Sequence, residues 1–279
     1  MEVDGCQSPA PRFPERHREA ILIPVDHISQ KEEVRRFWQR RPCGSGHADA
    51  PEASAEYFSQ VALRRDQLEP FIATYADFKS SRGEDVLEIG VGLGSDFVRF
   101  ARAGARATGV DLTPRSVEMV TQRLALEGLT GVVRVADAEA LPFVDDRFDV
   151  VYSWGVLHHT PSPEKAFSEA LRVLRPGGRA CIMVYARHSW VAFGLWARYG
   201  LLSGHPTRSL SDVVGSNMES VGTRAYTKAE LRSAFGALAD LQIEQVATPY
   251  DARVAGPFAS LTGSQLGWFT VVRGRKPHG

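Results

Sequence analysis

Residues 86–94 read Val86-Leu87-Glu88-Ile89-Gly90-Val91-Gly92-Leu93-Gly94, an apolar run that passes directly into alternating glycines. Glycine is needed where the backbone turns sharply or where a ligand approaches it closely. A helix-forming stretch follows, and the free N–H groups at a helix start favour an anionic group. We therefore predict a strand, a ligand-binding turn and a helix over residues 85–103.

The spacing of the glycines bears on the kind of ligand. A dinucleotide-binding turn has the pattern G-x-G-x-x-G, and its third glycine would fall at position 95, where Ser95 stands instead. An NAD-dependent oxidoreductase is therefore the weaker interpretation. Asp111 ends the next predicted strand, 21 residues after Gly90 (111 − 90). A carboxylate in that place suits a ribose diol, while Thr113 is available to cap the following helix.

Alternating strands and helices extend over most of the chain and predict an α/β fold with a parallel sheet covered on both faces. The helices are predicted at 94–103, 114–127, 163–175 and 228–239. The strands are predicted at 85–91, 105–112, 132–136, 148–154, 179–186, 241–247 and 266–272. Before the first strand we expect a loose tail over 1–16 and helices over 31–41 and 55–78. A less regular insert is expected over 187–226.

Composition restricts the classes of partner. Lys and Arg number 33 and so do Asp and Glu, so the chain has no net attraction to a polyanion and no nucleic-acid partner is expected. Cys6, Cys43 and Cys181 lack metal-ligand spacing, and no metal is expected. The apolar runs are too short for a membrane span or a signal peptide. These features favour a cytoplasmic protein, and a homodimer is left open.

Further short motifs follow in the order and spacing of one known family. They are V-D at 110–111, A-D-A at 136–138, L-H-H at 157–159 and L-R-P-G-G at 174–178. Together with E-I-G-x-G-x-G at 88–94, they resemble the class I S-adenosylmethionine-dependent methyltransferases. The resemblance is to the small-molecule branch that includes the ubiquinone and menaquinone C-methyltransferases. It covers residues 83–186 closely and implies a Rossmann-like, mostly parallel seven-stranded sheet whose last strand is antiparallel.

The resemblance also implies a cofactor, S-adenosyl-L-methionine, and residues that bind it. Glu88 and the three glycines Gly90, Gly92 and Gly94 would contact its methionine part. Asp111 would bind the ribose, with Leu112, Asp137 and Ala138 at the adenine and Ser153 and Trp154 near the reactive methyl group.

The catalytic and acceptor-binding residues are less well marked. His159, with His158 as the weaker candidate, occupies the position of a catalytic histidine in phosphoethanolamine-type relatives, although packing of the loop is the alternative role. Acceptor contacts are expected from aromatic residues outside the motifs, for which ordinary core packing is the alternative. They are Trp38, Tyr57, Phe58, Trp190 and Trp196. Residues 1–80 would then form a tail and an N-terminal lid on a methyltransferase domain of residues 81–279, whose insert 187–226 covers the acceptor.

The expected function is methyl transfer to an oxygen, nitrogen or carbon atom of a small metabolite, with specialised-metabolite biosynthesis as the expected setting. A quinone-type C-methyltransferase is one alternative. Methylation of RNA or protein is another, but the Asn/Asp-Pro-Pro-Tyr/Phe motif of base methylation is replaced by Ser153-Trp154-Gly155-Val156. A non-catalytic cofactor-binding protein is disfavoured by the intact glycine turn and by Asp111 and Asp137.

Overall fold

A computed structural model describes residues 27–220 and 222–278, so the predicted tail 1–16 and Cys6 lie outside the described residues. A single sheet runs through the described chain in the order β3-β2-β1-β4-β5-β8-β7. The strands are β1 Asp85–Ile89, β2 Arg106–Asp111, β3 Val132–Val135, β4 Phe148–Trp154, β5 Leu174–Ala186, β6 Ala225–Tyr226, β7 Ala239–Val246 and β8 Phe269–Arg275. The sheet is mostly parallel, and β8 is antiparallel to both β5 and β7. The predicted fold class is confirmed; the short β6, which pairs with β5, is an addition to it.

Eleven α-helices are found in the described ranges: α1 His27–Arg40, α2 Ala55–Leu68, α3 Ile72–Ala76, α4 Phe97–Arg102, α5 Pro114–Glu127, α6 Pro163–Val173, α7 Trp190–Trp196, α8 Leu210–Asn217, α9 Lys228–Ala234, α10 Pro249–Ala255 and α11 Phe258–Leu266. Two predicted helix starts are confirmed. The Thr113 side chain caps α5, which begins with Pro114, and Thr227 and Glu230 form the capping box of α9.

One predicted helix was wrong in extent, two helices were not predicted, and the last strand was predicted to begin too early. The helix expected over 55–78 is divided at Pro70 into α2 and α3, since proline cannot continue a helical hydrogen-bond ladder. Helices α10 and α11 were not predicted, and β8 consequently begins at Phe269 rather than at residue 266. Thr248 and Asp251 form a capping box for α10 with Pro249 at its first position, a local signal that was overlooked.

The sheet buries apolar side chains on both faces, as a parallel sheet between helices requires. Alternation along β1 sends Val86 to one layer and Leu87 and Ile89 to the other. Phe100 of α4 belongs to the first layer and Phe167 of α6 to the second. The carboxyl ends of the parallel strands therefore form one open edge, where ligands bind in such folds.

A buried ion pair joins the N-terminal helices to this core. Arg65 of α2 donates from Nη2 to Asp96 Oδ2 at 2.7 Å, and Tyr152 of β4 donates its hydroxyl to the same oxygen at 2.8 Å. Asp96 is only 2% exposed. Beside it, Trp154 Nε1 donates to Glu69 Oε2 at 2.7 Å. These contacts attach α2 to the glycine turn and to β4.

Replacing Arg65 by methionine should lower the free energy of unfolding by about 3–5 kcal/mol, because it leaves the Asp96 carboxylate buried without its counter-charge. The matched control is Arg64→Met on the same helix, where the guanidinium donates to the exposed Gln67. This substitution should change the free energy of unfolding by less than about 0.5 kcal/mol. Urea denaturation measures both. Equal effects of the two substitutions would show that the ion pair does not anchor α2.

Candidate active site

The glycine turn lies between β1 and α4 and has left-handed backbone at all three glycines. The φ angles are +85° at Gly90, +51° at Gly92 and +75° at Gly94. A Cβ atom at Gly90 would lie 2.3 Å from the Val156 side chain, and one at Gly94 would lie 3.0 Å from Val120. At Gly92 a Cβ would meet no heavy atom within 4 Å. Gly90 and Gly94 thus permit close packing of the chain, whereas Gly92 faces open space that a ligand can enter.

Glu88, at the end of β1, lies under this turn and is 4% exposed. Its Oε2 atom is buried and has no hydrogen-bond partner within the described part of the chain. Burial and the nearby carboxylates of Asp96 and Asp111 raise the pKa of Glu88 well above its usual value. A buried polar group without a partner indicates a missing ligand or water, and a cationic amino group would satisfy this one.

Asp111 is held at the end of β2 by the turn itself. Its Oδ1 accepts from the Thr113 backbone N–H at 2.9 Å and from the Thr113 hydroxyl at 2.8 Å. Its Oδ2 accepts from the Gly92 N–H at 3.1 Å. A carboxylate has about four acceptor positions, so one remains for a ligand hydroxyl. Leu112 is half-buried beside it.

Asp137 and Ala138 follow β3 and are covered by the first helix. Lys31 of α1 places its Nζ 2.5 Å from Asp137 Oδ2 and 2.7 Å from Glu139 Oε2, while the Glu139 N–H donates to Asp137 Oδ1 at 2.9 Å. Ala138 is 9% exposed. Helix α1 therefore lies over the edge of the sheet at β3, and Lys31 connects it to the carboxylate expected at the adenine.

Ser153 and Trp154 end β4 with their side chains already bonded to protein. Ser153 is fully buried and donates its hydroxyl to the Ile89 carbonyl at 3.0 Å. Trp154 is 8% exposed and binds Glu69. Both residues lie at the open edge of the sheet, as expected. Their side chains, however, bond to the last residue of β1 and to Glu69, which follows α2.

The histidine pair follows β4 and is buried, with His158 0% and His159 4% exposed. His159 Nδ1 lies 2.9 Å from the hydroxyls of both Thr223 and Ser220, which belong to the insert. The His158 ring packs 4.1 Å from that of Tyr185 and 4.2 Å from that of His159. Both His158 nitrogens are buried without a partner among residues 27–220 and 222–278. Burial lowers the pKa of His159 to about 3 and that of His158 well below its usual value, so both rings are neutral at neutral pH.

The aromatic residues predicted to bind the acceptor do not meet at one place. Trp38 of α1 packs edge-to-face on His159, with 5.4 Å between the rings. Tyr57 and Phe58 are buried in a separate cluster with Leu93. The indole N–H of Trp190 binds the Thr262 hydroxyl at 2.8 Å, and that of Trp196 binds the Arg208 carbonyl at 2.9 Å. The structure brings only Trp38 to the histidines; the others pack elsewhere.

Sequence reasoning did not identify four further polar residues near the site: Lys31, Glu69, Tyr185 and Glu219. None of them occurs in a motif, and Lys31, Glu69 and Glu219 belong to segments that are distant along the chain from the residues they contact. Tyr185 had a usable signal, since it ends β5 and the carboxyl ends of parallel strands face the ligand.

The two neutral histidines predict how stability depends on pH. Each has a folded pKa below its unfolded value of about 6.5, so its contribution is complete above that pH and is lost as the pH falls. From pH 6.5 to 5 the loss should be about 2 kcal/mol per histidine. His158→Phe, which keeps a ring against Tyr185, should flatten this decline in urea denaturation, whereas the exposed His188→Gln should not. A decline of wild-type size in His158→Phe would refute the assignment.

Comparison with known proteins assigns the family of the core. Residues 87–182, from β1 into β5, match the family described as "Methyltransferase domain". A demethylmenaquinone methyltransferase of Clavibacter sepedonicus is 35% identical over 126 residues, which cover 45% of this chain and 51% of that protein. The chain spans 28% to 56% of the length of the curated relatives that it matches.

Solved structures share the fold at low identity. Phosphoethanolamine N-methyltransferase 2 of Haemonchus contortus, in complex with phosphomonomethylethanolamine and S-adenosylhomocysteine, has a TM-score of 0.59 at 17% identity. It covers 88% of this chain and 60% of that chain. The [4+2]-cyclase SpnF has a TM-score of 0.57 at 17% identity, covering 92% and 97%.

The described residues contain no cluster of side chains able to hold a metal ion. None of their helices is long and apolar enough to cross a membrane. Residues 87–182 therefore carry a methyltransferase domain, with the glycine turn and Asp111 at the open edge of its sheet.

Proposed function

We propose that the protein transfers the methyl group of S-adenosylmethionine to an oxygen, nitrogen or carbon atom of a small-molecule metabolite. The observation that carries the proposal is the enclosure of the open sheet edge. Lys31 and Trp38 of α1 cover it from one side, and Ser220 and Thr223 of the insert cover it from another. An enclosed site suits a small acceptor and excludes water, whereas RNA would have to insert a flipped base.

The fit of the cofactor is supported by the groups that the protein leaves unsatisfied. Glu88 Oε2 would receive the cofactor's ammonium group, and the open space at Gly92 would admit its methionine part. Asp111 would accept from the ribose, while Leu112 and Ala138 would border the adenine. Asp137 would bind the adenine amino group, while its Oδ2 also accepts a hydrogen bond from Lys31. The sulfonium supplies an activated methyl group, so the protein has mainly to align the acceptor.

His159 is proposed as the general base for an acceptor that must lose a proton. The Thr223 hydroxyl donates to the Ser220 carbonyl at 2.8 Å, so its oxygen is free to accept a hydrogen bond from His159 Nδ1. With the proton assigned to Nδ1, Nε2 keeps its lone pair for the acceptor. The low pKa of His159 keeps the ring neutral but also makes it a weak base.

Methyl transfer is tested with S-adenosylmethionine that carries a deuterated methyl group and a filtered small-molecule extract of the source organism. Mass spectrometry should find a deuteromethylated metabolite that depends on the enzyme. If labelled RNA or protein forms from whole extract while no small molecule is labelled, the macromolecular alternative replaces the proposal.

In the same assay His159→Ala should lower turnover by about a hundredfold, the lower end of the range for general-base catalysis, because a group of low pKa is a weak base. S-adenosylhomocysteine affinity, measured by calorimetry, should remain within twofold of the wild type. His188→Gln serves as the control for replacing a histidine. Unchanged turnover in His159→Ala would make that ring a packing residue.

A further inference from the structure

The carboxyl ends of β4 and β5 adjoin a group of polar side chains that the cofactor does not use. Glu69 follows α2, and Glu219 follows α8 in the insert. Glu69 Oε2 accepts from Trp154 Nε1 at 2.7 Å, and Glu219 Oε1 accepts from the Tyr185 hydroxyl at 3.4 Å. The two carboxylates are therefore fixed to the last residue of β4 and to the end of β5, which are neighbouring strands.

The side chains that hold the two carboxylates lie on the same face of the sheet. Trp154 and Tyr185 belong to one core layer, and both rings pack on Phe269, with 6.4 Å and 5.9 Å between ring centroids. Tyr250 packs against the same layer, and burial raises the pKa of its hydroxyl to about 12. Glu69 and Glu219 are therefore brought to one side of the sheet, at the carboxyl ends of β4 and β5.

The charges beside Glu69 and Glu219 do not balance. Among residues 27–220 and 222–278 neither carboxylate has an ion-pair partner, and the deeper carboxylates of Asp96 and Glu88 are taken up by Arg65 and by the proposed cofactor. Arg65 is the cation beside them in the described chain, and its hydrogen bond goes to Asp96. Arg253 lies over the Tyr250 ring at 5.6 Å. Glu219 Oε2 is buried and has no partner among the described residues.

A buried carboxylate without a counter-charge takes up a proton or binds a cation. The surroundings suit a cation, because aromatic faces attract positive charge. The Tyr185 hydroxyl binds Glu219, and Tyr250 packs against the same core layer.

An independent observation beside Tyr185 also indicates a ligand. His158 is 0% exposed, its ring packs 4.1 Å from that of Tyr185, and neither of its nitrogens has a partner in the described ranges. A neutral imidazole whose nitrogens lack hydrogen-bond partners, next to Tyr185 and its partner Glu219, indicates a polar ligand at this place.

We propose that the methyl acceptor carries a positively charged amino group, which binds between Glu69 and Glu219 against the rings of Tyr185 and Tyr250. This inference rests on the proposed methyl transfer and adds the chemical class of the substrate. The charged group is a recognition element, and the atom that receives the methyl group can lie elsewhere in the molecule.

The test uses the full chain, deuteromethyl S-adenosylmethionine and the filtered extract, with products separated by capillary electrophoresis and identified by mass. At pH 2.5 carboxylates are protonated and a basic nitrogen keeps its charge, so the labelled product should migrate as a cation. A product that migrates as a neutral molecule overturns the inference and leaves the proposed function intact. If no small molecule is labelled, the proposed function itself fails.

Two variants test the site directly. Glu69→Gln and Glu219→Gln should each lower the rate at low acceptor concentration by about tenfold or more, with S-adenosylhomocysteine affinity within twofold of the wild type. The control is Glu164→Gln, an exposed carboxylate paired with Arg224, which should behave as the wild type. Wild-type rates in both test variants overturn the inference. If a variant fails to fold, the charge of the wild-type product still decides.

Discussion

The carboxylate of Asp96 accepts hydrogen bonds from two elements that are distant in sequence, Arg65 of α2 and Tyr152 of β4. Asp96 itself follows the glycine turn directly. One buried group therefore connects the glycine turn, the strand β4 and the helix α2. Breaking a buried pair of this kind is far more costly than losing an exposed one. Helix α2 is consequently held firmly against the sheet.

The two halves of the site have different origins. The half proposed for the cofactor lies in the motif-bearing core, where Gly92 faces open space and Asp111 lies beside it. The half proposed for the acceptor is assembled from α1, the end of α2, the insert and α10, none of which carries a motif. A common core combined with variable covering segments is how one fold serves many acceptors.

Local interactions explain what the sequence could predict. The cap at Thr113, the capping box at Thr227 and the left-handed glycines depend on residues within a few positions of one another, so their signals are visible in the chain. The contact of Lys31 with Asp137 joins residues 106 positions apart. Glu69 reaches Trp154 across 85 positions. Such pairings depend on how the helices pack, which periodicity does not encode.

The aromatic residues proposed to bind the acceptor also show that helical spacing does not predict packing partners. Trp38 and Phe58 are both large rings in predicted helices, yet Trp38 packs on His159 while Phe58 is buried beneath the Arg123 guanidinium. Helical spacing indicates that a ring faces the protein, but it does not indicate whether that ring meets core or ligand. The histidine pair was located correctly by its place after β4, whereas its neutral state follows from burial.

The proposed cofactor is tested most sharply by calorimetric titration of the wild-type chain with S-adenosylhomocysteine and, separately, with NAD. S-adenosylhomocysteine should bind one site per chain, because Glu88, Gly92 and Asp111 are proposed to receive it, and NAD should give no binding heat. Binding of NAD without binding of S-adenosylhomocysteine would contradict S-adenosylmethionine as the cofactor.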